Sequence, residues 1–305
     1  MIELVVVSLL WAFSFGLIKG VLVGVDPMWV AFGRLAVAAL VFAPLARWRG
    51  LGRRGVAELL AIGGLQFGVM YAAYTAAFQH LKAFEVALLT IFTPLFVVAF
   101  DAVRERRLRW IFMGAALLAT LGTGLALRES WTQARPVVTG ILLVQLSNLC
   151  FALGQLWYRR ALLRQPGLRD HQAMGLLYLG ATLVSGLLVL VVGDFKQLAL
   201  TGRQLGVLLY LGAIASGLGF FLFNRGARRV DVGTLAVFND LKIPLATLVS
   251  LVVFGEQANT RDLLLGGGLV VFAVLALRKL QHAHPPGRPA PPVLPSRRGA
   301  NGRCP

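Results

Sequence analysis

Asn239, Asp240 and Lys242 stand close together in the run VGTLAVFNDLKIPLATLVSLVVFGE, residues 232–256, which is otherwise almost wholly apolar and also contains Pro244. Arg34 stands in another apolar run near the start of the chain. Ionisable groups set in hydrocarbon-like sequence have a short list of uses. A carboxyl group such as Asp240 can take up and release a proton, and cations such as Lys242 and Arg34 can hold an anion or pair with an acid. Asp240 and Lys242 are two residues apart, roughly 200° around a helix, so each needs its own partner unless the helix opens near Pro244.

Each of these residues has a structural role open beside the chemical one. Arg34 can fix the bundle through an ion pair, with Asp240 a partner at similar depth, or contact a substrate carboxylate. Lys242 can belong to a buried ion network or bind a carboxylate on a transport path. Asp240 is the candidate for proton coupling. Further path candidates are Trp11, Ser14, Phe15, Gln66, Tyr71, Tyr74, Asn148, Asn224 and Asn239, whose alternative role, for the polar ones, is hydrogen bonding between helices. Glu85 is expected at an external rim, and Glu105 and Glu256 are expected to pair with loop arginines or to cap an adjacent helix.

The elements that must position these groups follow from composition. The 305 residues are 57% hydrophobic and only 14% charged, where soluble domains carry about a quarter charged residues. Ten apolar segments are each long enough to span a bilayer: 2–19, 28–46, 56–79, 84–103, 110–127, 137–158, 172–192, 205–224, 232–253 and 263–280. The spacing therefore predicts an all-α polytopic membrane protein with ten transmembrane helices. Pro94 and Pro244 fall inside the fourth and ninth segments and are the candidate helix breaks. Gly64 with Gly68, and Gly122 with Ala126, have the spacing of close helix packing, and Gly266-Gly267-Gly268 offers a further close approach. Trp29, Trp48, Trp110, Trp131 and Trp157 fall near segment ends, as interfacial anchors do.

The formal charge of +17 does not point to nucleic acid, because the basic residues fall between apolar runs and no polar domain carries them. Of the 30 Lys and Arg residues, 21 lie in the even-numbered loops and the tail and seven in the odd-numbered loops. That bias predicts a multi-pass membrane protein with both termini cytoplasmic. The first segment lacks a basic leader and a cleavage site and reads as a retained helix. Cys150 and Cys304 have no metal-ligand spacing, His282 and His284 are a weak pair in a polar tail, and the three glycines at 266–268 lack the Lys-Ser/Thr of a phosphate loop. No metal or cofactor is expected. The tail, 281–305, is rich in Pro, Arg and Gly and is expected to be disordered.

The chain also repeats itself. Pro94 and Pro244, and Glu105 and Glu256, recur at nearly the same interval, Gly64 falls opposite Gly212, and Trp11-Ala12 falls opposite Phe151-Ala152. Residues 1–130 and 131–280 thus form two five-helix units. Because five is odd, the copies enter the membrane from opposite sides, as inverted repeats. With the string Trp11-Ala12-Phe13-Ser14-Phe15 before Lys19, Arg34 in the second segment, and two proline-to-glutamate segments each followed by a glycine-rich helix, residues 2–280 resemble the drug/metabolite transporter superfamily, specifically its EamA-type ten-helix permeases. The resemblance implies secondary transport of small metabolites such as amino acids, organic acids, amines or drugs across the bacterial inner membrane, often as export. Asn239, Asp240 and Lys242 depart from the commoner pattern of that family. The expected partners are a small-molecule substrate, membrane lipids and protons as a coupling ion, with monomer and homodimer both open. No enzyme chemistry is expected. The competing reading is a channel or a non-transporting receptor for a small solute.

Overall fold

The computed structural model describes residues 2–48, 50–104, 110–128, 134–165, 167–195, 199–227 and 232–283. Helices α1 (Ile2–Val21) and α2 (Pro27–Phe42, closed by a 3₁₀ turn Ala43–Leu45) come first. The Asp26 carboxylate caps α2 by accepting the Met28 and Trp29 backbone N–H groups, and Pro27 occupies the first turn. Helix α3 runs Arg53–Gly63, widens into a π-helix at Gly64–Val69 and continues as Met70–Ala77. Helix α4 is in two pieces, Ala83–Leu89 and Phe92–Arg104. Helices α5 (Trp110–Ala126), α6 (Ala134–Arg164) and α7 (Asp170–Val192) follow. Helix α8 repeats the form of α3, with Gly202–Leu209, a π-helix at Tyr210–Leu218 and Gly219–Ala227. Helices α9 (Val232–Val252) and α10 (Thr260–Ala283) close the described chain.

These helices coincide with the ten apolar segments, with α6 extended beyond its expected 137–158 at both ends. Among the described residues, six helices are long and apolar enough to cross a membrane on length and hydropathy alone, with shorter apolar stretches at Ala83–Val97 and Leu117–Ala126. The outward surface agrees. Leu142, Leu183, Leu187, Leu190 and Leu264 are exposed, a pattern suited to lipid and costly in water.

The packing is reciprocal between the two five-helix halves. Helix α1 lies along α9, and its counterpart α6 lies along α4. Helix α3 packs on α6 and α7, and its counterpart α8 on α1 and α2. The α2–α7 and α5–α10 pairs each join a helix to its own counterpart. The fold is therefore two inverted five-helix repeats. Glycine makes the close crossings possible. A Cβ added at Gly63 would lie 1.9 Å from the Leu177 carbonyl oxygen, and one at Gly180 would lie 2.0 Å from that of Leu60, both far inside van der Waals contact. Gly64 and Gly68 crowd Val184 in the same crossing, and Gly266 rests on the Gly122 carbonyl. Gly267 and Gly268 face open space, so of the three consecutive glycines only Gly266 makes the close approach.

The two prolines behave differently. Pro94 has no N–H to give the Thr90 carbonyl, which instead accepts the Thr93 N–H at 3.1 Å, and α4 separates at Thr90–Ile91. Pro244 does not break its helix. Residues Val232–Val252 remain continuous with the proline inside them. Glu105 and residues 284–305, with the end of the tail and His284, lie outside the described residues, as do the side chains of Trp110, Trp131 and His282.

Candidate functional site

A cavity of about 80 Å³ lies where the two repeats meet. Helix α1 contributes Trp11, Ser14 and Phe15, α2 contributes Arg34, and α3 contributes Met70, Tyr71 and Tyr74. The interrupted part of α4 supplies Thr90 and Thr93. From the second repeat come Ser147, Asn148 and Phe151 on α6, Phe220 on α8 and Lys242 on α9. Two of the lining residues are cations and none is an acid.

The walls are largely aromatic. Phe220 is their hub, with ring centroids 4.9 Å from Trp11, 5.7 Å from Phe151 and 6.5 Å from Tyr71. Phe15 meets Tyr74 edge-on at 5.7 Å. Each cation rests on one of these rings. The Arg34 guanidinium lies 3.8 Å from the Tyr71 ring centroid, and Lys242 Nζ lies 5.1 Å from that of Trp11. Such contacts lower the energy of a desolvated charge without neutralising it.

The wide turns of the π-helix in α8 set the wall's polar anchors. The Trp11 indole N–H donates to the Ala215 carbonyl at 2.9 Å, and the Tyr178 hydroxyl donates to the Ser216 carbonyl at 2.7 Å. Ser216 Oγ accepts Arg34 Nε–H at 3.1 Å and Nη2–H at 3.0 Å and donates to the Tyr71 hydroxyl at 3.3 Å. A hydroxyl has one donor and two acceptor sites, so Ser216 is saturated. Arg34 itself is 2% exposed. These contacts hold it in place of the ion pair with Asp240 that depth in the sequence suggested.

Asn148 fixes the opposite wall. Its Nδ2 donates to the Leu89 carbonyl at 2.9 Å and to Gln145 Oε1 at 3.2 Å, and its Oδ1 accepts the Thr93 hydroxyl at 2.9 Å. The Leu89 carbonyl is one that the interruption of α4 releases, so an α6 side chain satisfies what Pro94 leaves open.

Eight of the residues singled out in the sequence thus share one cavity: Trp11, Ser14, Phe15, Arg34, Tyr71, Tyr74, Asn148 and Lys242. Gln66 does not join them. It is buried in the α3–α6 crossing against Gly154, five residues from Tyr71 and so on another face of α3. Asp240 is half-buried and does not line the cavity. The side chains of Asn224 and Asn239 lie outside those described. Met70, Thr90, Thr93, Ser147, Phe151 and Phe220 were not anticipated. Phe151 carried a signal, since the repeat sets it opposite Trp11.

Acids at the helix ends act as caps. Glu85 is buried, not at a rim, and accepts the Lys82 N–H at 2.8 Å. Glu256 accepts the Ala83 and Phe84 N–H groups at the start of α4, and the Ser250 hydroxyl donates to it. Among the described residues, no group of three or more His, Cys, Asp and Glu gathers to hold a metal.

The sequence profile of the EamA-like transporter family matches residues 1–128 and again 138–278. The chain belongs to the EamA-like transporter family. It is accordingly a multi-pass membrane transporter of a small molecule, not an enzyme. Among EamA-like relatives, it is 36% identical over 278 residues to a biotin transporter of Escherichia coli K12, covering 90% of this chain and 92% of that protein. It is 40% identical over 270 residues to a probable biotin transporter of Pseudomonas aeruginosa PAO1, covering 88% of this chain and 94% of that one. A solved crystal structure shares the fold with a TM-score of 0.64 at 23% identity, over 92% of this chain and 96% of that one. Every residue that lines the cavity falls inside the two family matches.

Proposed function

We propose that this protein carries biotin across the bacterial inner membrane by alternating access of the inter-repeat cavity. The observation that carries the reading is a cavity with two cations, no acid and aromatic walls, in a chain more than a third identical to biotin transporters along most of its length. Biotin is an anion at one end, apolar along its chain and sulfur ring, and a neutral hydrogen-bonding urea at the other. Aromatic faces suit the apolar body, and hydroxyl and amide groups near Asn148 suit the urea. Amino acids carry a cationic ammonium that a cavity with two cations disfavours.

The test is flux of labelled biotin in reconstituted vesicles, run beside amino acids and simple amines. Saturable movement of biotin that unlabelled biotin competes away is the expected result. Folded, membrane-inserted protein that moves no biotin overturns the reading, and conduction without saturation returns the channel alternative.

Two further parts of the proposal rest on charge. The excess of Lys and Arg in the even loops supports cytoplasmic termini, and activity of a periplasm-dependent reporter fused after Ala283 would overturn that. Asp240, half-buried in α9, is the proposed proton carrier. An imposed pH gradient should then drive flux in the native protein and fail to drive it in Asp240→Asn. An equal response in both removes Asp240 from that role.

A further inference from the structure

We propose that Arg34 recognises the carboxylate of the transported substrate, through the end of its guanidinium that the protein leaves empty; the assignment rests on the biotin reading and sharpens it. A guanidinium has five N–H donors in one plane. Ser216 takes Nε–H and one Nη2–H on a single oxygen. Nη1 is buried and has no hydrogen-bond partner among the described residues. Among the three that remain is the pair of parallel N–H bonds, one from each Nη, that matches a carboxylate in bidentate fashion.

The setting makes this more than an orphaned donor. The Tyr71 ring lies against the guanidinium face at 3.8 Å and Ser216 holds its inner edge, so the plane and direction of the fork are fixed before a ligand arrives. No carboxylate is among the partners of Arg34 in the described residues, and its partners there are neutral. A buried guanidinium without an anion is costly in a membrane interior. A substrate carboxylate supplies both the missing acceptor and the missing charge. Nη1 is closed to water in this conformation, so the carboxylate reaches it as the lining parts. Met70, unbranched and adjacent to Tyr71, is the lining side chain best able to yield.

The experiment is competition for labelled biotin flux in reconstituted vesicles by biotin and by biotinamide, which replaces the carboxylate with a neutral group of the same shape. The native protein should prefer the acid by about 100-fold or more, because the amide leaves the buried donor unpaired. In Arg34→Gln the preference should fall to near one. Arg34→Lys keeps the charge but not the fork, and should retain flux with the preference reduced about tenfold or more. No acid-over-amide preference in the native protein, or full preference in whichever variant folds, overturns the proposal. If the native protein moves no biotin, the biotin reading fails by itself. Arg34 is then tested by thermal stabilisation with hexanoate against hexanamide, where a shift with the acid alone supports the assignment and no difference overturns it.

Discussion

Ala83 and Glu256 are joined by a hydrogen bond of 2.8 Å across the two repeats, donated by the backbone N–H that begins α4 and accepted by the carboxylate Oε1 just beyond α9. Oε2 of the same carboxylate takes the next N–H, from Phe84, at 3.2 Å. The first N–H groups of a helix have no partner within it, and the N-terminus favours negative charge. Gly255, at φ +67°, makes the turn that brings the carboxylate back to this point. Lys82 Nζ reinforces the junction by donating to the Gln257 carbonyl at 2.7 Å.

Glu256→Ala should therefore weaken the union of the repeats. Hydrogen bonds to a charged group contribute about 1.5–3 kcal/mol. The melting temperature in detergent should fall by several degrees in Glu256→Ala, and by less in Glu256→Gln, which keeps an acceptor. Equal melting of all three proteins would remove the cap from the forces that hold the repeats together.

Asn148 makes a second junction between the repeats on the same helix, α4. Asn148→Leu preserves size and removes both hydrogen-bonding ends, leaving the Leu89 carbonyl and the Thr93 hydroxyl without this partner. Each buried group left unsatisfied costs about 1–3 kcal/mol. Loss of thermal stability is expected, together with faster proteolysis or hydrogen exchange confined to residues 83–97. Exchange that rises uniformly along the chain would contradict the local role.

The glycine crossings separate cleanly by substitution. Gly63→Ala and Gly180→Ala each place a methyl group about 2 Å from a backbone carbonyl oxygen of the facing helix, and backbone cannot move aside as a side chain can. Both variants should fail to yield folded protein on size exclusion. Gly267→Ala meets nothing within 4 Å and should be neutral. Normal yield from Gly63→Ala would mean that α3 and α7 do not cross as closely as described.

Lys242→Gln provides a separate check on the cavity. If the second cation helps hold an anion, half-saturation for biotin should rise about tenfold or more, while the acid-over-amide preference set by Arg34 persists. Unchanged half-saturation in folded protein would leave Lys242 with a structural role on Trp11.

Helix positions were legible because a bilayer permits few alternatives to a long apolar run. Arg34 and Lys242 were legible for the same reason, since a charge in such a run is conspicuous. Phe220 was not, because a phenylalanine facing the cavity and one facing lipid look alike in sequence. Ser216 was hidden similarly, as small residues in membrane helices usually serve packing. Pro94 and Pro244 looked equivalent, yet only α4 is interrupted, because the outcome of a lost hydrogen bond depends on what the neighbouring helices offer. The cap on Ala83 joins residues 173 positions apart, and nothing local to either end declares it.

The wide turn of α3 has a consequence for the phase of everything beyond it. A π-turn accommodates a residue that an α-turn does not, and one residue amounts to about 100° of rotation about the axis. Deleting one residue within 64–69 would therefore let α3 run as a regular helix with Tyr71 and Tyr74 still facing the cavity, whereas the same deletion in a regular stretch such as 53–63 would shift the two ends of the helix out of phase by that angle. The spare residue in that turn is slack: it lets the chain change in length by one there without rotating the cavity-facing side of the helix.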